Sequence, residues 1–161
     1  MVKIVLADLS NKDHGSALIR LLDEYASDIM GGGNELSPYT RENLVTALGR
    51  LPSCHVVLAY EEEQAIGLAI CFEGFSTFAC RKILNIHDLV VVPESRGKGV
   101  AARMLERIEQ LALELGCCKL TLEVLEGNEV AQRVYRRFGF EGYELDPEMG
   151  RALFFDKKIG D

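Results

Sequence analysis

Apolar and polar residues alternate along the chain with two periods, one typical of strands and one typical of helices. Short apolar runs predict strands at residues 2–6, 55–60, 65–72, 83–92, 119–125, 140–145 and 153–158. Apolar residues three and four positions apart predict helices from about residue 13 to the glycines at 31–33, and over 37–48, 101–115 and 128–138. Residues 74–81 are predicted to form a loop. The predicted order of elements is therefore β-α-α-β-β-β-α-β-α-β-β.

The predicted helix over 101–115 has the strongest apolar stripe, and it lies between two predicted strands. Its stripe consists of Ala101, Met104, Leu105, Ile108, Leu111, Ala112 and Leu115. A strand, a helix and a strand in this order form a crossover, which makes the two strands parallel. The remaining strands can pair antiparallel. We therefore expect one α/β domain over residues 1–161, with a central mixed, mostly antiparallel sheet and helices on both faces.

The composition narrows the class of protein. Apolar residues make up 48% and charged residues 27% of the 161 positions, as in an ordinary globular domain. The net charge of −7 argues against broad nucleic-acid binding and is compatible with a cationic amine substrate, although solubility alone also explains it. No apolar run reaches the ~20 residues of a membrane span, and polar residues interrupt the N-terminus too early for a signal peptide. We expect a cytoplasmic protein that does not associate with a membrane.

Cysteine and histidine give no sign of a metal site. The five cysteines are odd in number and form no C-x-x-C pair, so buried, reduced thiols are the simplest interpretation. The three histidines, His14, His55 and His87, do not stand at metal-ligand spacing. We expect no metal.

The turn over residues 96–101 is the main candidate for ligand binding. It contains Gly97 and Gly99 and joins the strand over 83–92 to the strongest helix. Backbone N–H groups at a helix N-terminus lack partners and favour a pyrophosphate, and Arg96 and Lys98 add positive charge. A tight turn with solvated basic residues is the alternative. The P-loop pattern is absent, and the dinucleotide fingerprint is half matched, so a dinucleotide-binding oxidoreductase domain stays an alternative.

Two motifs stand on the predicted elements around this turn. The first is Arg96-x-x-Gly99-x-Ala101, directly after D-L-V-V-V-P-E-S. The second begins at Asn128 and ends in Tyr135-Arg-Arg-Phe-Gly-Phe. In this order and spacing, the two motifs resemble those of the GNAT superfamily of acetyl-CoA-dependent N-acetyltransferases, and they cover residues 83–143. Residues 86–91 and 126–129 look most similar to the branch that contains polyamine and small-amine acetyltransferases.

The resemblance implies acetyl-CoA as the co-substrate. In the family, amides of the glycine loop hold the CoA pyrophosphate, and the preceding strand pairs with the pantetheine arm. Carried onto this sequence, the expected cofactor-binding residues are Leu89, Val90, Val91, Arg96, Gly97, Lys98, Gly99, Val100, Ala101 and Asn128.

The resemblance also implies that Tyr135 protonates the leaving thiolate; a half-buried core tyrosine is the alternative. An alkyl ammonium group must lose a proton before its nitrogen can attack the thioester, so the reaction needs a base. His87 stands at a position where relatives carry such a base. The polyamine enzymes usually have an acidic residue at this position. A structural histidine, or a relay through water, is the alternative. Strand alternation predicts that Asn85, His87 and Leu89 share one face and that Asp88 lies on the other, which excludes a His-Asp dyad.

We therefore expect an N-acetyltransferase that acts on a primary amine of a small molecule or peptide. A non-catalytic acyl-CoA-binding sensor of the same fold is the alternative. The acceptor pocket is expected from the N-terminal helices and residues 31–39 and 72–78. A homodimer is expected from the habit of the family, and because Phe154 and Phe155 alternate on a C-terminal strand, which leaves one of them to meet a partner.

Overall fold

The computed structural model describes residues 1–144 and 146–159. Within these ranges the strands are β1 (Val2–Leu6), β2 (Cys54–Glu61), β3 (Gln64–Ser76), β4 (Arg81–Val91) and β5 (Leu120–Leu122). The α-helices are α1 (Lys12–Ser27), α2 (Pro38–Gly49), α3 (Val100–Glu114) and α4 (Glu129–Phe138). Two short 3-10 helices, Ile29–Gly31 and Pro93–Ser95, follow α1 and β4.

The strands form one mixed sheet in the order β1-β2-β3-β4-β5. The first three pairings are antiparallel, and β4 pairs with β5 in parallel. The parallel pair is the one joined by α3, because a crossover helix returns the chain to the same end of the sheet. The mixed, mostly antiparallel α/β architecture is thus the predicted one.

The core lies between the sheet and the apolar stripes of α1 and α3. Leu18 and Leu21 of α1 and Met104, Leu105 and Ile108 of α3 are completely buried. Burial of such a side chain contributes roughly 1.5–3 kcal/mol relative to exposure. The stripe that the sequence shows over 101–115 therefore holds α3 on the sheet, and this places its N-terminus at the end of β4.

Side-chain caps confirm several predicted helix boundaries. Ser37 accepts from the N–H of Thr40 with Pro38 in the first turn of α2, and Asn128 accepts from Ala131 at the start of α4. Gly139 ends α4 with φ at +102°, a conformation that glycine adopts without a steric penalty. These are local signals, which is why the sequence alone locates them.

The β3–β4 hairpin is longer than predicted. Residues 74–76 and 81–82 belong to the strands, so the predicted loop over 74–81 shrinks to residues 77–80. Glu73 of β3 pairs with Lys82 of β4 at 2.6 Å (Nζ to Oε2) and with His55 of β2 at 2.8 Å (Nε2 to Oε1). These pairs link neighbouring strands beside the turn.

The two closing strands are not present in the described residues, which corrects that prediction. Residues 140–144 and 153–158 have no strand, and Leu145 lies outside the described residues. A strand needs a hydrogen-bonded neighbour, and an apolar pattern does not supply one. The last strand of the sheet, β5, is itself three residues long instead of the predicted seven. Phe154 and Phe155 are both exposed, rather than one of the two.

All five cysteines are free thiols, as expected. Only Cys71 and Cys117 of the five are buried, whereas all of them were expected to be. Among the described residues, no helix has both the length and the apolar character that a membrane crossing requires.

Candidate active site

The turn before α3 has the geometry of an anion-binding loop. Gly97 and Gly99 have φ angles of +73° and +79°, which favour glycine, and a Cβ at either position would meet nothing within 4 Å. Gly99 is the N-cap of α3 and offers no side-chain hydrogen bond, so the first amides of the helix have no capping partner. Uncapped amides facing open space at a positive helix end fit a pyrophosphate.

The guanidinium group of Arg96 turns away from this loop. Its Nε donates to the carbonyl oxygen of Val91 at 2.9 Å, and one terminal nitrogen lies 3.7 Å from the carboxylate of Asp28 at the end of α1. Arg96 therefore links α1 to the end of β4. Lys98 is exposed on the loop itself and is the basic side chain there that forms no such link.

The outer edge of β4 is open next to the loop. The parallel pairing with β5 stops at Ile86, which leaves residues 88–91 without a partner strand on that side, although the carbonyl oxygen of Val91 accepts from Arg96. The N–H of Val92 donates to Ile66 of β3 at 3.0 Å, and strand backbone groups alternate in direction. Leu89 and Val91 consequently direct their backbone groups to the open edge, whereas those of Val90 turn toward β3.

A β-bulge at His87 changes which face each β4 side chain occupies, and this corrects the predicted alternation. Cys71 pairs with Ile86 and Ile70 pairs with Asp88, so His87 is the extra residue. Because Asn85 pairs with Phe72 and Leu89 with Ala69, Asn85 and Asp88 share one face, and Leu89 lies on the other. Simple alternation fails here because the bulge shifts the register by one residue.

The face of Asp88 is the face that α1 covers. Gly67, which pairs with Val91, lies on the opposite face, since a Cβ there would come within 2.7 Å of the Met104 sulfur of α3. The charge of Asp88 raises the pKa of Tyr25 on α1, after the larger effect of burial, which places these two groups near one another. Helices α1 and α3 therefore lie on opposite faces of the sheet, as predicted.

His87 is exposed on the bulge. Its ring packs edge-on against Phe72, with 5.4 Å between the ring centroids. The adjacent imidazole also lowers the pKa of Asp88, against the larger effect of burial, which raises it. The contact with Phe72 puts His87 on the same face as Asp88, contrary to the expectation that the two side chains point apart.

Tyr135 lies on α4, half-buried, with its ring edge-on to Phe140 at 5.8 Å between centroids. Burial, and secondly the nearby Tyr25, raises the pKa of its phenol to about 12. The hydroxyl group therefore keeps its proton at neutral pH. Asn128, at the start of the same helix, uses its side-chain oxygen to cap the N–H of Ala131 at 3.1 Å.

The sequence analysis did not single out Tyr25 or Asp28, and it placed Asp88 on the wrong face of the sheet. Tyr25 appears in the sequence as one member of the apolar stripe of α1, and Asp88 as a residue on the wrong face. The sequence feature that could have drawn attention to Asp88 is its position next to His87. Nothing local in the sequence indicates that α1 carries Tyr25 to β4 and α4.

A cavity of about 930 Å³ lies elsewhere, between β1, the start of α1 and the β2–β3 turn. Tyr60, His14 and Arg20 are among its lining residues, and none of the predicted site residues is. Among the described residues, no group of three or more His, Cys, Asp or Glu side chains is placed to hold a metal ion.

Comparisons with known proteins show the family and the fold of the chain. The sequence model of the acetyltransferase (GNAT) family matches residues 19–140. Thialysine N-epsilon-acetyltransferase of Bos taurus is 32% identical over 74 residues, which is 46% of this chain and 43% of that protein. The chain therefore spans less than half the length of this curated relative.

Solved structures share the fold over almost the whole chain. A probable acetyltransferase superposes with a TM-score of 0.80 at 23% identity and covers 99% of both chains. The aminoglycoside N-acetyltransferase AAC(6')-Iy, solved in complex with CoA, superposes with a TM-score of 0.75 at 18% identity over 99% of this chain and 96% of its own. The family match covers well over half of the 161 residues and includes β4, the glycine loop and Tyr135, so the chain belongs to the GNAT family of acetyltransferases.

Proposed function

We propose that this acetyltransferase moves the acetyl group of acetyl-CoA to a primary amine of a small molecule or peptide. The observation that carries the proposal is the glycine loop over 97–99, whose Cβ positions face open space at the uncapped N-terminus of α3. A pyrophosphate fits such a site, and acetyl-CoA contains one. The CoA complex of the structurally similar AAC(6')-Iy supports this donor.

The proposed donor site follows from the backbone. The amides of residues 97–101 would hold the pyrophosphate, with Lys98 adding charge. Leu89 and Val91 direct backbone groups to the open edge of β4, where the pantetheine arm can add as a strand would, whereas Val90 would contribute by its side chain. Arg96 would act by holding the end of β4 through its bond to Val91. Asn128 would act mainly by fixing the start of α4.

The proposed chemistry is direct attack. Acetyl-CoA supplies an activated acyl group as a thioester. The amine nitrogen bonds to the carbonyl carbon, the carbon–sulfur bond breaks, and Tyr135 protonates the leaving thiolate. The pKa of about 12 keeps the Tyr135 proton in place until the thiolate forms. His87 is the proposed base, since it is exposed on the bulge and can exchange protons with solvent.

We propose that residues 1–161 act as one domain, in the cytoplasm, and as a homodimer. Support for the dimer comes from exposed apolar side chains near the C-terminus, namely Leu153, Phe154, Phe155 and Ile159. Light scattering at micromolar concentrations would then give twice the monomer mass of 17.9 kDa. The monomer mass across this range would reject the dimer.

The test of the function is a screen of primary amines for acetyl transfer, read by mass spectrometry of the acetylated amine. Release of the CoA thiol is a second readout, and it is measured with the Cys80→Ser variant, which lacks the exposed free thiol that would add to the signal. Acetylation of at least one amine, with Tyr135→Phe much slower, would support the proposal. Acetyl-CoA binding without transfer to any amine would favour the non-catalytic sensor. Binding of NAD but not acetyl-CoA would reject the donor.

A further inference from the structure

We propose that Arg96 and Asp28 are positioning residues, which join the open edge of β4 to the turn over residues 28–33, which we call the α1 turn. Through this link, acetyl-CoA that binds at the edge of β4 fixes the α1 turn for the acceptor. The inference rests on the proposed function, and it states how the two substrates of that function influence each other's binding. The α1 turn belongs to the acceptor side, because the segment over 31–39 is expected to line the acceptor pocket.

Asp28 holds the α1 turn with both its backbone and its side chain. Its carbonyl oxygen accepts from the N–H groups of Gly31 at 2.9 Å and Gly33 at 3.0 Å. The carboxylate oxygen Oδ1 accepts from the N–H of Met30 at 2.9 Å. Gly31 also packs tightly against the end of α1, since a Cβ at this position would clash with the carbonyl oxygen of Tyr25. The α1 turn therefore moves with Asp28 as one unit.

The second carboxylate oxygen of Asp28 faces Arg96. The distance from Oδ2 to one terminal nitrogen of the guanidinium group is 3.7 Å, which is an ion pair but too long for a hydrogen bond. The Nε of the same group donates to the carbonyl oxygen of Val91 at 2.9 Å. Arg96 thus joins the α1 turn to β4, and the shorter of its two contacts is the one to β4.

The carbonyl oxygen of Val91 lies on the open edge of β4, where the pantetheine arm is proposed to add. No strand pairs with this side of β4 beyond Ile86 among the described residues, so Arg96 occupies an acceptor that an added strand uses. An amide N–H of the pantetheine arm takes the place of the Nε of Arg96 at this oxygen. The guanidinium group is then released from β4, and its ion-pair partner is Asp28.

The released guanidinium group closes the gap to Asp28 and forms a charge-assisted hydrogen bond. Arg96 therefore holds the end of β4 in the free enzyme and the α1 turn in the donor complex. A turn that is ordered before the acceptor arrives lowers the entropy cost of acceptor binding, and by linkage the acceptor tightens acetyl-CoA binding by the same factor. Both side chains are partly exposed, at 50% for Arg96 and 32% for Asp28, so solvent limits the effect to a few-fold.

The far end of the α1–α2 connection does not depend on Arg96. The N–H of Leu36 donates to the carboxylate of Asp23 at 2.7 Å. Arg41 pairs with Asp23 at 2.7 Å and with Glu35 at 2.8 Å. These contacts hold that end whether or not the donor is bound, so the response to acetyl-CoA is confined to the α1 turn.

The first measurement is the acetyl-CoA affinity of Asp28→Asn by titration calorimetry. The variant keeps an oxygen that can accept from Met30 and loses the charge that attracts Arg96. Because CoA is an anion, removal of a carboxylate would by charge alone tighten its binding. We expect instead a Kd about three- to tenfold weaker, and no further loss when Asp28→Asn is added to Arg96→Gln. Glu24→Gln is the matched control, because it breaks an ion pair of the same 3.7 Å with Arg20, one turn earlier on α1, and it should not weaken binding.

The second measurement follows the α1 turn by hydrogen–deuterium exchange, which needs no acceptor. Three amides of the turn donate to Asp28, so their exchange reports on its order. Saturating acetyl-CoA should slow this exchange by about threefold or more in the wild type and in Glu24→Gln, and should leave it unchanged in Asp28→Asn. Arg96→Lys, which keeps the positive charge but lacks the planar fork of arginine, should behave as Asp28→Asn does.

The outcomes separate the link from the proposed function. Wild-type or tighter acetyl-CoA binding by Asp28→Asn, additive losses in the double variant, or equal protection of the turn in Asp28→Asn and the wild type would each overturn the link. If Asp28→Asn does not fold, the exchange of Arg96→Lys decides in its place. Absence of acetyl-CoA binding by the wild type would reject the proposed function itself, whereas binding that leaves the turn unprotected would reject the link alone.

Discussion

Replacement of Gly99 by alanine tests the proposed donor site with a built-in control. Gly99 has a φ of +79° and an open Cβ position at the N-terminus of α3. Gly116, just beyond the other end of the same helix, has a φ of +73° and an equally open Cβ position. The two substitutions therefore impose the same backbone strain, and they differ only in which end of α3 receives the methyl group.

The expected cost to stability is the same for both variants. A non-glycine residue in the left-handed region costs roughly 1–2 kcal/mol, and no steric clash adds to it here. In a chain of 161 residues, each kcal/mol lowers Tm by about 2–4 °C. Both variants should therefore melt a few degrees below the wild type, which calorimetry or circular dichroism can measure.

The expected effect on acetyl-CoA affinity differs between the variants. At position 99 the methyl group enters the space that faces the uncapped amides, and the strained backbone turns those amides away from the pyrophosphate. We expect at least a tenfold weaker Kd, about 1.4 kcal/mol, by titration calorimetry. Gly99→Glu, which adds a negative charge, should weaken binding further. Gly116→Ala should bind acetyl-CoA as the wild type does. Equal affinity of folded Gly99→Ala and Gly116→Ala would refute the assignment of the pyrophosphate to this loop.

Three further predictions concern the chemistry and the stability. Tyr135→Phe should lower kcat by ~10²-fold or more with little change in acetyl-CoA affinity, and wild-type turnover would remove Tyr135 from the mechanism. His87→Ala should abolish the acidic limb of the pH–rate profile near ~6.5; if that limb persists, the base is another group or water. Hydrogen bonds from Lys82 and His55 lower the pKa of Glu73 below 4.5, so its contribution to stability is complete above pH 4.5 and is lost as the pH falls through the lower, folded value. Glu73→Gln should therefore cost on the order of 1 kcal/mol at pH 7 and progressively less in acid, and a loss that is independent of pH would contradict this account.

Much of the proposed donor site could be predicted because its signals are local. The glycines at 97 and 99, the strand before them and the apolar stripe of α3 are neighbours in the sequence, and the structure places them as expected. The cap at Asn128 and the end of α4 at Gly139 are also set by local signals. Each of these features depends on the φ angles and hydrogen bonds of a few consecutive residues, so the order of residues is enough to specify it.

The faces of the β4 side chains could not be predicted in the same way. The sequence places Asp88 on the wrong face, because it shows an unbroken strand and does not show that His87 is left without a partner on β3. It also predicts strands over 140–145 and 153–158 from an apolar pattern that finds no neighbour in the described residues.

The sequence by itself determined the four α-helices, the first five strands and the loop before α3, because these follow from propensities, caps and spacing along the chain. The class of enzyme came from the resemblance of its two motifs to those of the GNAT family. The tertiary structure alone decided that Tyr25 of α1 lies near Asp88 of β4 and Tyr135 of α4. It also decided that Arg96 ties α1 to β4 instead of facing the loop. The physical reason is that these arrangements depend on the register between β3 and β4 and on the packing of helices that are far apart in the sequence, and a one-residue shift in that register moves a side chain from one face to the other.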